Sequence, residues 1–160
     1  RRVSFGDVPS REDPMQLTRY TDYGLRILIF LALQPEGRRS SIEEVCATFD
    51  LPHNHINKIV HQLGKLGWVS TRRGKGGGIS LGLPPEAINL GEVIQSLEGT
   101  MQLVECGSPL CQLLPVCRLK GVLAEAVEAF FASLCRHSLA DLIRNSTAIR
   151  QQLAIPLLNL

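Results

Sequence analysis

The pattern of apolar and polar positions predicts three helices in the first half of the chain. Residues Tyr20–Gln34 are apolar on nearly every face, which indicates a buried helix at the centre of its domain, capped by Thr18 or Thr21. A capping box at Ser41–Glu44 begins a short second helix. From about His53 to Leu66, apolar residues recur at three- and four-residue spacing, which predicts a third helix with one buried and one polar face.

A hairpin is predicted after the third helix. Trp68–Arg72 and Ile79–Leu81 have the character of strands, and the glycine-rich stretch Arg73–Gly78 between them is typical of a flexible turn. Helices followed by such a hairpin predict a winged helix-turn-helix, in which the second helix of the motif enters the major groove of DNA. The helix-turn-helix would cover about residues 42–65, and the wing residues 68–81.

The second half of the chain predicts further helices outside this motif. Leu90–Leu97 forms a short amphipathic segment, and about Cys117–His137 forms the longest helix, with a wide apolar stripe. About twenty residues at ~1.5 Å each would reach ~30 Å, more than a small domain needs to cover itself. A two-fold dimer interface is the simplest use of the stripe, and packing within the same chain is the alternative. A second capping box, Ser138–Asp141, predicts a short last helix.

The predicted fold is mainly α-helical with a small β-hairpin wing, followed by a long dimerisation helix. Residues 1–14 are polar and precede Met15, which we interpret as a natural start, so they are treated as an N-terminal extension. Residues 15–83 would form the winged helix-turn-helix domain. Residues 84–144 would hold a ligand-binding loop and the dimerisation helix, and residues 145–160, which give no clear signal, a tail.

The composition indicates in which cellular compartment the protein is found. The 160 residues are 44% hydrophobic, enough for a folded core, and the longest apolar run, Ile27–Leu33, is too short to span a bilayer. Five cysteines are an odd number, and three of them lie too close together for a disulfide framework. Residues 1–14 lack the apolar stretch of a signal peptide. We therefore expect a protein of the reducing cytoplasm with no membrane partner.

Charge is distributed unevenly although the net charge is only +2. Residues 51–85 contain no Asp or Glu, which predicts one anionic partner, and for a winged helix this is double-stranded DNA. Asn and Lys can pair with base edges, while basic wing residues reach phosphate or the minor groove. The candidate DNA contacts are His53, Asn54, His55, Asn57, Lys58, His61 and Gln62 in the third helix, and Arg72, Arg73 and Lys75 in the hairpin.

Two other interpretations of this acid-free tract are weaker. The histidines could suggest a metal site, but His53 and His55 would not share a helical face. The glycine-rich turn could suggest a phosphate-binding loop, but Lys75 is followed by Gly rather than Ser or Thr. The flanking strands also give a hairpin, where a phosphate-binding loop would lead into a helix.

Three cysteines, Cys106, Cys111 and Cys117, lie within twelve residues that also contain Pro109 and Pro115. The prolines exclude one regular helix, so this cysteine loop can fold back and point its sulfurs at one object. A helix beginning near Cys117 would favour the thiolate, which is the metal-binding form. Three thiolates are one short of the four ligands usual for structural zinc or an iron–sulfur cluster. Buried structural cysteine is the alternative.

Three motifs at matching separations carry a resemblance. Met15–Arg26, Arg73–Gly78 and the Cys-x4-Cys-x5-Cys pattern from Cys106 to Cys117 together resemble the bacterial iron–sulfur winged-helix regulators. This group includes IscR, and the match is strongest to its nitric-oxide-sensing branch, the NsrR repressors. The resemblance covers Met15 to about Asp141. It implies a homodimer that holds a 2Fe–2S or 4Fe–4S cluster on the three cysteines.

The resemblance also implies a fourth ligand. In the NsrR branch an N-terminal aspartate of the other subunit can complete the site, and Asp22 occupies the matching position here. The IscR branch instead uses a histidine three residues after the last cysteine, where this chain has Lys120. Cys46 and Cys135 match no cluster position, and we expect both to be core residues of helices.

The expected function is that of a cytoplasmic, dimeric repressor whose cluster senses nitric oxide and controls operator affinity at nitric-oxide detoxification genes. A thiol-redox or zinc-dependent winged-helix regulator would use the same three cysteines. A cysteine-dependent enzyme has the least support, because no motif ties a His or Asp to a cysteine and only His137 lies outside the DNA-reading region. We expect no catalytic residue.

Overall fold

A computed structural model describes residues 16–99, 101–107 and 109–155, so the predicted extension at residues 1–14 lies outside the described residues. This part of the chain is mainly helical with one antiparallel hairpin, as predicted. Its elements are α1 (Arg19–Ala32), α2 (Ile42–Phe49), α3 (His53–Lys65), β1 (Val69–Arg72), β2 (Gly78–Leu81), α4 (Leu90–Glu98), α5 (Leu119–Leu134), α6 (Leu139–Leu142) and α7 (Ser146–Gln152), with a short 3-10 turn at Pro85–Ala87.

Helix α1 lies at the centre of the core, as its apolar pattern predicts. Thr18 is its N-cap, because the Thr18 side chain accepts a hydrogen bond from the backbone of Thr21. Ile27 and Leu28 are fully buried and pack in one cluster with the buried face of α3. The core residues contributed by α1 and α3 are Ile27, Leu28, Phe30, Leu31, Ile56, Ile59, Val60 and Leu63.

The helix-turn-helix and its wing form by local signals. Ser41 and Glu44 make the predicted capping box of α2, and Asp50 ends that helix in the left-handed conformation at φ 52°. Strands β1 and β2 pair in a register that joins Arg72 to Gly78. The turn between them requires glycine, because a Cβ atom at Gly77 would lie 2.4 Å from the carbonyl oxygen of Arg72.

Helix α4 packs directly against α1, so the segment after the wing shares the same core. A Cβ atom on Gly24 of α1 would lie 2.5 Å from Cδ1 of Leu97 in α4, which shows how closely the two helices approach. The start of α4 is also joined to α6, because Leu90 N–H donates to His137 and Leu139 N–H donates to Ile88 at 3.0 and 2.8 Å. The Ser138–Asp141 capping box that begins α6 is present as predicted.

Helix α5 is shorter than predicted. It begins at Leu119 rather than Cys117, because tight backbone turns around Pro115 hold the preceding residues out of helical geometry. It ends at Leu134 rather than near His137, and the Asn89 side chain donates a 2.7 Å hydrogen bond to the carbonyl of Cys135.

No α5 residue is buried within the single chain. Its apolar stripe is only partly covered, because Leu119, Val122 and Phe130 are exposed. The half-buried members of the stripe are Leu123, Val127, Phe131 and Leu134.

The region after Asn145, which gives no clear signal in the sequence, contains a further helix. Helix α7 follows α6, so α6 is not the last helix. Ile155 packs against the core, and the Arg150 guanidinium donates a hydrogen bond to the carbonyl of Leu33 in α1. Contacts to distant residues, more than any local capping signal, therefore hold this segment. Within the described residues, no helix has the length and apolar character needed to cross a membrane.

Candidate DNA-binding surface and metal ligands

The polar face of α3 is open to solvent. Of its seven candidate DNA-binding residues, all but the half-buried Gln62 are exposed. Two of them are joined: Asn57 Nδ2 lies 2.8 Å from Nδ1 of His53 and donates to the His53 carbonyl oxygen at 3.2 Å. This face can therefore enter a groove without unfolding any part of the domain.

An acidic neighbour that sequence reasoning missed lies beside this face. Glu43 of α2 places its carboxylate 3.2 Å from Nε2 of His53. A backbone hydrogen bond, followed by the hydrogen bond with His53, lowers the pKa of the Glu43 carboxyl below its usual value. Glu43 therefore stays charged near neutral pH and orients His53. Only the spatial pairing of α2 and α3 reveals it, since Glu43 precedes the acid-free tract.

Helix α1 contacts α3 through two tyrosines. The Tyr20 hydroxyl donates to the backbone carbonyl of Lys58 at 3.5 Å. The rings of Tyr23 and His55 lie 6.5 Å apart between centroids, tilted by 35°. The first turns of α1 thus touch the helix that carries most of the candidate base contacts.

The basic residues of the hairpin lie together at the end of the wing. Arg72, Arg73 and Lys75 are all exposed, as expected for phosphate contacts. A cation that sequence reasoning missed, Arg39, supports the base of the wing through hydrogen bonds to the carbonyl oxygens of Ser70 (3.4 Å) and Gly78 (3.3 Å). Arg39 therefore holds the hairpin in position, and the three exposed cations remain available at its surface.

The cysteine loop carries three half-buried free thiols. Cys111 N–H donates to the carbonyl of Cys106 at 3.2 Å, and Leu114 N–H donates to the carbonyl of Cys111 at 3.1 Å. These turns bring the backbones of Cys106 and Cys111 together. Cys117 lies two residues before α5, so it does not occupy the helix start that the sequence predicted.

The donor chemistry of the cysteine loop fits an iron–sulfur cluster, since thiols are the usual ligands and three are present in one short segment. Among residues 16–99, 101–107 and 109–155, however, no three Cys, His, Asp or Glu side chains are grouped as a metal site. Closing the loop around a cluster would therefore require the thiols to converge. Such coupling of metal binding to local folding is common in small metal sites.

Asp22 lies at the first turn of α1 and binds Arg26. Its Oδ1 accepts from Arg26 Nε at 3.1 Å, and its Oδ2 lies 2.9 Å from Nη2. Both side chains are over 40% exposed, at 44% and 43%. An exposed pair at this spacing is worth only about 0.3–0.5 kcal/mol, so the carboxylate is accessible to a stronger partner.

The two remaining cysteines differ from each other. Cys46 is half-buried against the core, and burial, followed by the charge of Glu43, raises the pKa of its thiol, as expected for an inert core residue. The expectation for Cys135 was wrong. It is exposed at the C-cap of α5, because the helix ends there, although its sulfur lies close enough that a Cβ atom on Gly91 would meet it at 2.2 Å.

The fold and the exposed basic surface define a winged-helix DNA-binding protein. Residues 17–145 match the Rrf2 family, described as "Iron-dependent Transcriptional regulator". The chain belongs to this family. It is therefore a transcriptional regulator and not an enzyme.

Relatives and solved structures agree with this assignment. The HTH-type transcriptional regulator NsrR of Bacillus subtilis (strain 168) is 46% identical over 142 residues, covering 87% of this chain and 97% of that protein. NsrR of Halalkalibacterium halodurans is 44% identical over 144 residues, covering 88% and 99%. The structure of CymR, "the Global Cysteine Regulator of B. subtilis", has a TM-score of 0.64 at 27% identity and covers 81% and 96%. T. potens IscR, at 21% identity and a TM-score of 0.67 over 82% and 88%, shows the fold alone.

Proposed function

We propose that the chain is a homodimeric repressor that binds operator DNA and holds an iron–sulfur cluster on Cys106, Cys111 and Cys117. Loss of the cluster under nitric oxide would release the operator and allow nitric-oxide detoxification genes to be expressed. The observation that carries the proposal is that one chain combines two features. The polar face of α3, which we take as the recognition helix, and the basic wing are exposed, and one loop holds three free thiols. The similarity to proteins named NsrR, over most of their length, supports it.

Two kinds of DNA contact follow from the surface. Helix α3 presents Asn54 and Lys58, side-chain types that pair with base edges in the major groove. The wing presents Arg72, Arg73 and Lys75, whose charge attracts phosphates of any sequence. The two surfaces should therefore differ in how their substitution changes binding.

Substitution of the wing cations is expected to weaken binding to all DNA sequences. Arg72→Ala, Arg73→Ala and Lys75→Ala should each reduce the slope of log affinity against log salt by about 0.9 for every phosphate that the variant no longer neutralises. Asn54→Ala and Lys58→Ala should instead cost ~1–3 kcal/mol at particular base pairs and relax sequence preference. Fluorescence anisotropy across a salt series, with operator and scrambled duplexes, measures both effects.

A matched control for the wing is Lys120→Ala, which removes an exposed lysine of α5 outside the winged helix. It should leave the salt slope unchanged. If the wing variants bound the operator with the wild-type slope at every salt concentration, the hairpin would not contact phosphate.

The exposed part of the apolar stripe of α5 supports the dimer. Val122 is 59% exposed and Phe130 38% exposed, which is unusual for large apolar residues on one helix. An apolar cleft of about 370 Å³ also opens between α5, α4 and the start of α1, lined by Leu17, Ile94, Met101, Leu103, Val127 and Phe130 among others. A second copy of the chain would cover this surface. Two-fold dimers are also common among proteins that bind DNA sites made of two half-sites.

In such a dimer we propose that Asp22 of one subunit completes the ligand set of the other. A bound cluster would supply the iron atoms with which nitric oxide reacts. A carboxylate is a harder ligand than a thiolate, so Asp22 would hold iron weakly and exchange readily. Arg26 is placed to compete with iron for this carboxylate, because its guanidinium lies 2.9 Å from Asp22 Oδ2.

Substitution of Asp22 is expected to change the cluster rather than abolish it. Asp22→Ala should keep a cluster on the three thiols but alter its absorption spectrum and shorten its lifetime. Arg26→Ala is the matched variant, since it leaves the carboxylate without its competing guanidinium and should lengthen that lifetime. Anaerobic absorption spectra followed over time measure both. A wild-type spectrum and lifetime in Asp22→Ala would indicate a different fourth ligand.

A further inference from the structure

We infer that Glu98 is a positioning residue that couples the two cluster sites of the dimer. It does so by joining the turn of α1 that carries Asp22 to the end of α4, where the segment leading to the cysteine loop begins. The inference rests on the proposed function, in which Asp22 of one subunit completes the site of the other. It adds a regulatory property to that site, since the state of one site would then influence the other.

Glu98 is the last residue of α4 and contacts the residue immediately before α1. Its Oε1 accepts two hydrogen bonds from Thr18, one from the backbone N–H at 2.7 Å and one from the hydroxyl at 3.1 Å. The two residues are 80 positions apart in the chain. Hydrogen bonds to a carboxylate are roughly twice as strong as neutral ones, so this pair fixes the two helix ends together.

Thr18 transmits this contact to Asp22. As the N-cap of α1, its hydroxyl accepts the Thr21 N–H at 3.3 Å, and its carbonyl accepts the Asp22 N–H at 3.0 Å. Thr21 is itself fully buried, with its hydroxyl 3.2 Å from that of Thr18. The first turn of α1 therefore begins at the residue that Glu98 holds, and a displacement of Thr18 would displace Asp22.

The packing around this contact leaves little room for independent movement. Gly24 of α1 lies so close to Leu97, the neighbour of Glu98, that an added Cβ would approach it to 2.5 Å. Helix α4 is then capped by Gly99, seven residues before Cys106. Rearrangement of the cysteine loop would thus act on α4 at the end that holds Thr18.

In the proposed dimer this arrangement links the sites crosswise. The cysteine loop of one subunit acts through its own Glu98 and Thr18 on its own Asp22, which ligates the cluster of the other subunit. Loss of one cluster would loosen the carboxylate ligand of the second. Because coupling between two sites is reciprocal, clusters should be gained and lost in pairs.

The test is native mass spectrometry of the dimer after partial cluster removal by a chelator, which counts dimers with no, one and two clusters. In wild-type protein the product of the empty and doubly loaded counts, divided by the square of the singly loaded count, should exceed the value of ~0.25 for independent sites by about five-fold or more. Glu98→Ala should bring the counts to the independent distribution. Glu98→Gln keeps an oxygen acceptor and should therefore retain the coupling. Glu92→Ala, which removes an exposed carboxylate of the same helix, is the control and should give the wild-type distribution of loaded dimers.

A second readout uses the metal-free protein. Hydrogen exchange at the Thr18 amide should be faster in Glu98→Ala than in wild type or Glu92→Ala, because its acceptor has been removed. Should Glu98→Ala fail to load clusters, Glu98→Asp provides the comparison. It is too short by one methylene to keep both contacts, and it should show intermediate coupling.

Independent loading in the wild type, or wild-type counts in both Glu98→Ala and Glu98→Asp, would overturn the inference while leaving the cluster itself established. A wild-type protein that carries no iron or sulfide would instead overturn the proposed function. Coupling that persists at full strength in Asp22→Ala would also overturn the inference, since it would show that the two sites communicate by another route.

Discussion

Replacement of Cys106, Cys111 or Cys117 by alanine is expected to abolish cluster binding, whereas Cys46→Ala and Cys135→Ala should leave it intact. Each loop substitution leaves two thiolates, and a cluster held by two thiolates and one weak carboxylate lacks the ligands that such clusters require. The three thiols share one short loop with turns at Cys106 and Cys111. Iron and sulfide counts after anaerobic purification, together with the absorption spectrum, measure the outcome.

The two control cysteines differ in environment, which sharpens the comparison. Cys46 is half-buried on the core, and Cys135 is exposed at the end of α5. If exposure alone decided which thiols bind metal, Cys135→Ala would lower the iron content. Full iron and sulfide in any loop variant would contradict the ligand assignment. If the wild-type protein contained zinc but no sulfide, the result would instead favour a zinc-dependent regulator. If it contained no metal, the result would favour a thiol-redox regulator.

The elements that could be predicted from sequence are those determined by local signals. The Ser41–Glu44 capping box begins α2, the three- and four-residue spacing gives α3, and the glycines of the wing permit a turn that a Cβ atom would block. The predictions failed where contacts between residues far apart in the chain determine the structure. Helix α7 packs on the core through Ile155, and α5 ends where Asn89 binds the Cys135 carbonyl.

The candidate site shows the same division. The exposed face of α3 and the wing cations could be predicted, because helical periodicity and an acid-free tract are properties of neighbouring residues. The contacts of Glu43 with His53 and of Glu98 with Thr18 join separate elements, the latter across 80 positions. Periodicity, charge distribution and local motifs carry no information on such pairs, so the residues that position the site emerge only from the packed structure.

The structure also indicates how a ligand on Asp22 would influence DNA binding. Asp22 lies between Tyr20 and Tyr23, and these two residues contact Lys58 and His55 on the recognition helix. A cluster that fixes Asp22 would therefore fix the turn of α1 against which α3 packs. In a dimer, this would hold the two α3 helices at the separation that paired half-sites require, ~34–36 Å along the duplex.

Protein with an intact cluster is accordingly expected to bind operator DNA about 5–150-fold more tightly than protein treated with stoichiometric nitric oxide or stripped of its cluster, which corresponds to a coupling of ~1–3 kcal/mol. An anaerobic gel shift on one operator, with the three forms in parallel, measures the difference. Tyr20→Phe removes only the hydroxyl that binds Lys58, so it should keep the cluster and narrow the difference between the forms. Equal affinity of the intact, nitrosylated and cluster-free proteins would leave DNA binding in place but show that the cluster does not control it.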